Sequence, residues 1–237
     1  MIKEEGSTRK RPRVAIVDNS VFPGIYKPVE HWSAFLPGVE WEAFYAPSGR
    51  LPAIKDFSHF ILTGSEASIL QREPWADREV EFTREVFQAG RSILGSCYGH
   101  QLLALALAGP AHVGRCREPE IGWIPIEIKA ASPVLGPPGE AFTFSVHFDE
   151  VRDLPDSFVV LAATEICPIQ AFGFAGRNVW GFQIHPEIDV SAARGILSQF
   201  GSIFPKIQPL YARALSEKPR DSGLIFKIVK EFLAISA

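Results

Sequence analysis

In Gly95-Ser96-Cys97-Tyr98-Gly99 a cysteine stands two residues from a glycine on either side. This is the pattern of a sharp strand-to-helix turn that holds a reactive side chain out of a sheet. Glycines suit such a turn because the crowded backbone leaves no room for neighbouring Cβ atoms. A cysteine there meets the unpaired N–H groups and macrodipole of a helix N-terminus, which favour thiolate over thiol. The N–H of Tyr98 is then available as an oxyanion donor. A buried structural cysteine between packing glycines fits the same pattern, so the motif has meaning only with a partner. Trp180-Gly-Phe-Gln-Ile-His185-Pro186-Glu187 supplies one. In extended chain, residues i and i+2 point to the same side, and Pro186 is expected to hold that backbone extended. Glu187 then accepts from one imidazole nitrogen of His185 while the other faces the thiol. A nucleophile, a base and an orienting carboxylate are the requirements of covalent acyl transfer.

These residues need rigid elements behind them. Arg13–Asp18 and Ser58–Thr63 read as buried strands. A helix is expected from about Pro74 to Ala89, closed by Gly90 as a C-cap. Arg91–Ser96 is a short apolar strand that runs into Cys97, followed by an Ala/Leu-rich helix from Tyr98 to about Ala108. Strand and helix alternating at short spacing predict a parallel sheet covered on both faces. After Gly122 strands dominate: Trp123–Ile128, Ala141–Val146, Phe158–Ala163, Ile169–Phe174 and Val179–Ile184, separated by turn residues. An amphipathic helix is expected near Leu224 to Leu233, suited equally to core packing or to a dimer contact.

The chain has 237 residues, 46% hydrophobic and 22% charged, with a formal net charge of -3. That charge gives no electrostatic reason to expect nucleic acid or an anionic membrane. No apolar run reaches the ~18 residues of a membrane span. Residues 1–12 read as a solvated leader without the apolar core of a signal peptide, and 13–237 as a single domain with a helical tail from about 204. Cys97, Cys116 and Cys167 are odd in number and poorly spaced for a metal site. They fit a reducing cytosol, so a cytoplasmic enzyme is expected.

Gly95-Ser-Cys97-Tyr-Gly99-His-Gln101-Leu-Leu-Ala followed by Gly181-Phe-Gln-Ile-His185-Pro-Glu187 resembles the class I glutamine amidotransferase domain, and within it the free-standing homologues of the GMP synthase glutaminase. The resemblance covers roughly Val14 to Phe200. It implies an α/β fold: an open, mainly parallel twisted sheet flanked by helices, in a flavodoxin- or Rossmann-like three-layer arrangement. It also implies Cys97 as nucleophile, His185 as base and then acid, and Glu187 as orienter. Gly64, in Leu62-Thr-Gly-Ser-Glu-Ala, matches the family's oxyanion loop and would add a second backbone N–H. Glu66 stands where that loop often has glycine. Gln101 matches a residue that binds the amino-acid end of glutamine. Ser145-Val-His147-Phe148-Asp149 resembles the segment whose main chain holds that end, at Phe148 and Asp149. His147 is expected to stabilise the loop.

The resemblance further implies hydrolysis of a small γ-glutamyl substrate through a thioester, with no metal or organic cofactor. The sequence has no G-x-x-x-x-G-K loop for ATP. Three readings follow: a stand-alone hydrolase of γ-glutamyl amides or peptides, a subunit delivering ammonia to a separate synthase, or a non-catalytic binding module. The intact Cys97, His185 and Glu187 argue against the last.

Overall fold

The computed structural model describes residues 11–235, so most of the expected leader lies outside the described residues. The strands are β1 (Arg13–Asp18), β2 (Glu40–Tyr45), β3 (His59–Leu62), β4 (Ser92–Ser96), β5 (Val113–Ile128), β6 (Gly139–Val151), β7 (Phe158–Ala163), β8 (Ala171–Phe174) and β9 (Val179–Phe182). The helices are α1 (Pro28–Ser33), α2 (Ala76–Gln88), α3 (Tyr98–Leu107), α4 (Val190–Ile203), α5 (Gln208–Ser216) and α6 (Leu224–Ala234).

The nine strands of the described residues join one sheet in the order β2-β1-β3-β4-β9-β8-β7-β5-β6. From β2 to β9 the pairing is parallel, and from β9 to β6 it is antiparallel. The apolar runs of the parallel half have a simple cause. Along β1, Val14 and Ile16 join a core with Trp32 of α1 and Ile225, Ile228 and Phe232 of α6. Ala15 and Val17 face the other way, into a core with Val80 and Phe82 of α2 and Leu102 and Leu103 of α3. Both faces are covered, so alternation of side chains demands apolar residues at every position. Each large aliphatic or aromatic side chain buried this way contributes about 1.5–3 kcal/mol.

The helix ends follow local rules. Gly90 adopts a left-handed conformation after α2, with its N–H bonded to the Phe87 carbonyl and that of Arg91 to Val86. The apolar face of α6, with Ile225, Ile228 and Phe232, is buried in the core, one of the two uses expected for it. Several expectations differ in detail: β5 begins at Val113 and β6 runs on to Val151, both longer than expected, and β8 begins only at Ala171. The strand toward Ile184 ends at Phe182, and His185-Pro186-Glu187 is not extended: the N–H of Ile188 bonds to the His185 carbonyl at 3.3 Å. Pro186 therefore occupies the second position of a tight turn, where its fixed φ is favourable.

Candidate active site

The carboxyl ends of the parallel strands gather the predicted residues, the usual place for a site in an open α/β sheet. Cys97 follows β4 directly and is the N-cap of α3. Its φ of +48° lies in the left-handed region, rarely occupied by a non-glycine residue. The surroundings hold it there. Its N–H donates to the Phe182 carbonyl at 2.7 Å, and the N–H of Gly99 to the Thr63 carbonyl at 3.1 Å. A Cβ on Gly95 would lie 2.4 Å from the Gly99 carbonyl oxygen, and one on Gly99 would lie 2.1 Å from that of Leu62. Both flanking glycines are thus required by close backbone approach, as the motif implies.

His185 and Glu187 meet across the turn, with Nδ1 of the imidazole 2.8 Å from Oε1 of the carboxylate. Both are buried. Burial alone would lower the affinity of His185 for its proton. The negative charge and hydrogen bonding of Cys97 and then Glu187 outweigh it, and the imidazole is pushed up to about 10. For Glu187, burial favours the neutral acid, but His185, the residue's own backbone and Tyr26 hold it below the usual carboxylate range. Cys97 and His185 thus form a buried pair in which the imidazole keeps its proton. The thiol also lies 3.7 Å from the carbonyl oxygen of Val146.

Two partners of Glu187 have no signature in the sequence. The Tyr26 hydroxyl donates to Oε1 at 2.8 Å, and the Ser96 hydroxyl reaches Oε2 at 3.2 Å. Burial and then the charge of Glu187 hold the Tyr26 phenol well above its ordinary range, so it remains a donor. Its ring stands edge-on to His185 with centroids 5.6 Å apart. Tyr26 lies in a loop with no periodic pattern, so only the fold reveals it. Ser96 precedes the cysteine within the motif, but its direction is set by β4.

Gly64 follows β3 and abuts the imidazole. A Cβ there would lie 2.6 Å from Cε1 of His185 and 3.0 Å from the Tyr26 hydroxyl. Tyr98 opens α3, so its N–H is one that a helix leaves without an intrahelical acceptor, while its ring packs on Trp75. Glu66 fastens the adjoining loop. Its carboxylate accepts from the N–H groups of Val21 at 2.9 Å and Phe22 at 3.3 Å, and from Ser20.

Gln101, Phe148 and Asp149 line the same cleft. The Gln101 amide nitrogen donates to the Asp149 carbonyl at 2.8 Å and to Gln183 at 3.1 Å, so it ties α3 to β6 and does not cap its own helix. The Asp149 carboxylate is engaged by Ser68 at 2.5 Å and by Arg115 at 3.0 Å. The ring of His147 is occupied by the Asp149 carbonyl and by Glu120 at 3.0 Å, in a loop-holding role. Glu120, His147 and Cys167 bring possible metal-ligating atoms within 4.8 Å of one another. The Glu120 carboxylate is engaged there by His147, Gln170 and Thr164, so the three side chains are held together by protein hydrogen bonds.

The family model described as Glutamine amidotransferase class-I matches residues 55–201, which include Gly64, Cys97, His185 and Glu187. The chain belongs to this family. Among curated relatives, this class I amidotransferase is 36% identical over 130 residues to the glutamine-hydrolysing GMP synthase of Caldicellulosiruptor saccharolyticus, covering 54% of this chain and 24% of the relative. It is 32% identical over 136 residues to that of Streptomyces avermitilis, covering 56% and 25%. The matched segment thus spans about a quarter of those relatives' length. Among solved structures, a glutamine amidotransferase from Thermotoga maritima superposes with a TM-score of 0.77 at 19% identity, covering 94% of this chain and 96% of that one. A putative GMP synthase subunit from Thermoplasma acidophilum gives 0.63 at 22%, covering 85% and 98%. These likenesses bear out the α/β fold with a large central sheet flanked by helices. No helix among the described residues is long and apolar enough to cross a membrane.

Proposed function

We propose that the chain hydrolyses γ-glutamyl amides, glutamine included, through a thioester on Cys97. The observation that carries this reading is the buried Cys97–His185–Glu187 array, in which the imidazole is hydrogen-bonded to Glu187 at 2.8 Å and its proton affinity is raised by Cys97 and Glu187. The thiolate adds to the γ-carbonyl carbon, and the N–H groups of Gly64 and Tyr98 receive the oxyanion. His185 gives its proton to the amide nitrogen as the C–N bond breaks, and ammonia or an amine leaves. His185 then takes a proton from water as it attacks the thioester. The C–S bond breaks, releasing glutamate and regenerating the pair. Phe148 and Asp149 would hold the amino-acid end through their main chain, with Gln101 beside them.

A second reading is supported by the names of the relatives: a glutaminase unit that passes ammonia to a separate synthase. The fastened oxyanion loop favours activity in the chain by itself, because Glu66 and the Asn19–Thr63 bonds at 3.0 and 3.1 Å hold it without a partner. Steady-state assay of the purified chain decides. Turnover of glutamine or a γ-glutamyl dipeptide without additions is the expected result. A rate that rises by orders of magnitude only when a synthase is added gives the second reading.

A further inference from the structure

We infer that the cleft holds an apolar subsite for the amine half of the amide, so that the preferred substrate is a γ-glutamyl amide of an aromatic or bulky apolar amine. This rests on the hydrolase reading above and specifies its substrate class. The cleft around Cys97 measures about 350 Å³ and divides by chemistry. At one end Ser68, Gln101, Arg115 and Asp149 bond to one another in a polar chain. At the other end the lining is aromatic and aliphatic, with the Tyr211 phenol its one polar group: Phe144, Ile188, Ile196, Phe200, Phe204 and Tyr211, carried by β6, α4, α5 and the chain on either side of α4.

The acid of the reaction sets the direction of the substrate across this division. His185 must reach the amide nitrogen, so whatever that nitrogen carries projects past the imidazole. The imidazole is attached to the apolar end. Its backbone N–H bonds to the Phe144 carbonyl at 2.9 Å, its ring lies 6.4 Å from the Phe144 ring, and Ile188 closes the turn that bears it. Beyond stand Phe200 and Phe204, stacked at 5.9 Å, with Phe22 edge-on to each at 6.0 Å. Phe22 is 39% exposed and Phe204 37%, so the aromatic rim is open to a ligand. Ammonia has no carbon to lay against this wall. A ring or branched alkyl group on the nitrogen does, and its burial there lowers the barrier only for such amides. Glu66, beside Phe22, disfavours an acidic amine, and the single Arg or Lys side chain lining the cleft among the described residues, Arg115, is at the polar end.

Two measurements separate this inference from the reading beneath it. Turnover by the unaltered chain is compared for glutamine, γ-glutamylglutamate and γ-glutamylbenzylamide. The benzylamide should exceed glutamine about tenfold to a hundredfold in kcat/KM, the range for an apolar group fitted to a pocket, and γ-glutamylglutamate should be the poorest. Phe204→Ala should narrow the benzylamide-to-glutamine ratio about tenfold by the same rule. Binding of glutamine and the benzylamide to Cys97→Ala, by titration calorimetry, reads the subsite without chemistry. Tighter binding of the benzylamide supports the subsite even if no amide turns over, an outcome that would refute the hydrolase alone. Glutamine bound as tightly as the benzylamide, or hydrolysed as fast, overturns the subsite, leaves the hydrolase standing and assigns the aromatic wall to a protein partner.

Discussion

Gly64→Ala isolates the contact between the loop after β3 and the imidazole of His185. Gly64 is absent from the glycines with positive φ, so alanine brings no backbone strain there. Its whole effect is steric. The new Cβ would begin 2.6 Å from Cε1 of His185, whereas carbon atoms rest at about 3.5–4.0 Å. The imidazole must therefore retreat by roughly 1 Å, away from the thiol or against Glu187, or the loop must recoil and withdraw its N–H. The Tyr26 hydroxyl, 3.0 Å from the same Cβ, blocks an easy compromise. A displacement of about 1 Å costs on the order of 100-fold in rate, and overpacking costs about 1–3 kcal/mol in stability. Steady-state kcat/KM with glutamine and thermal melting read the two effects. Gly24→Ala is the control, since nothing lies within 4 Å of its Cβ, and it should alter neither. If Gly64→Ala keeps the full rate, the loop and base are not in contact as described, and the role assigned to Gly64 fails.

A glutamine-like chloroketone should label Cys97 alone by peptide mapping, because burial, with Glu150 and Asp149, pushes the Cys116 thiol up to about 11, and burial, with Glu120, pushes Cys167 up further. Labelling mainly at either of those would refute the nucleophile. The rate should fall on the alkaline side as His185 loses its proton, whose affinity is raised to about 10. In Glu187→Gln one of the two negative charges that raise it is gone while that of Cys97 stays, so this limb should move part of the way to lower pH while measurable turnover remains, whereas His185→Ala should be nearly inactive. A limb that does not move sinks the pairing. Tyr26→Phe should lower stability by about 1.5–3 kcal/mol in denaturant melts, the worth of a hydrogen bond to a charged group. An unchanged midpoint would mean that Glu187 does not depend on the phenol.

The legible part of the molecule is whatever is written locally. β1 and β7 have the limits their apolar runs imply, and the Cys97 turn is spelled out by two glycines between a strand and a helix. β2 gives no such signal. It lies on the sheet edge with Glu40, Trp41 and Glu42 exposed, so neither a continuous nor an alternating apolar pattern is required of it. α4 does carry a local signal, one that the strand-dominated reading after Gly122 passes over. Asp189 caps it through Ala192 at 2.8 Å, and Ala193, Ile196, Leu197 and Phe200 recur on one buried face. The turn at Pro186 departs from the extended chain expected of it because proline suits extended chain and the second position of a turn equally well. Tyr26 and Glu66 are illegible for a deeper reason. Each acts through a contact between segments far apart in sequence, Tyr26 to Glu187 and Glu66 to Val21, which no local rule encodes.

The left-handed backbone at Cys97 has a consequence for the history of the chain. A non-glycine residue held in such a conformation costs on the order of 1–3 kcal/mol, and a glycine there would carry little of that penalty. Stability and activity therefore pull this one codon in opposite directions. Cys97→Gly should melt above Cys97→Ala, since both lack the sulfur and only one keeps the strain. A lineage that no longer needed the chemistry would gain by drifting toward glycine at this position. At Cys97 the proposed chemistry therefore sets the residue, and the fold by itself would be better served by glycine.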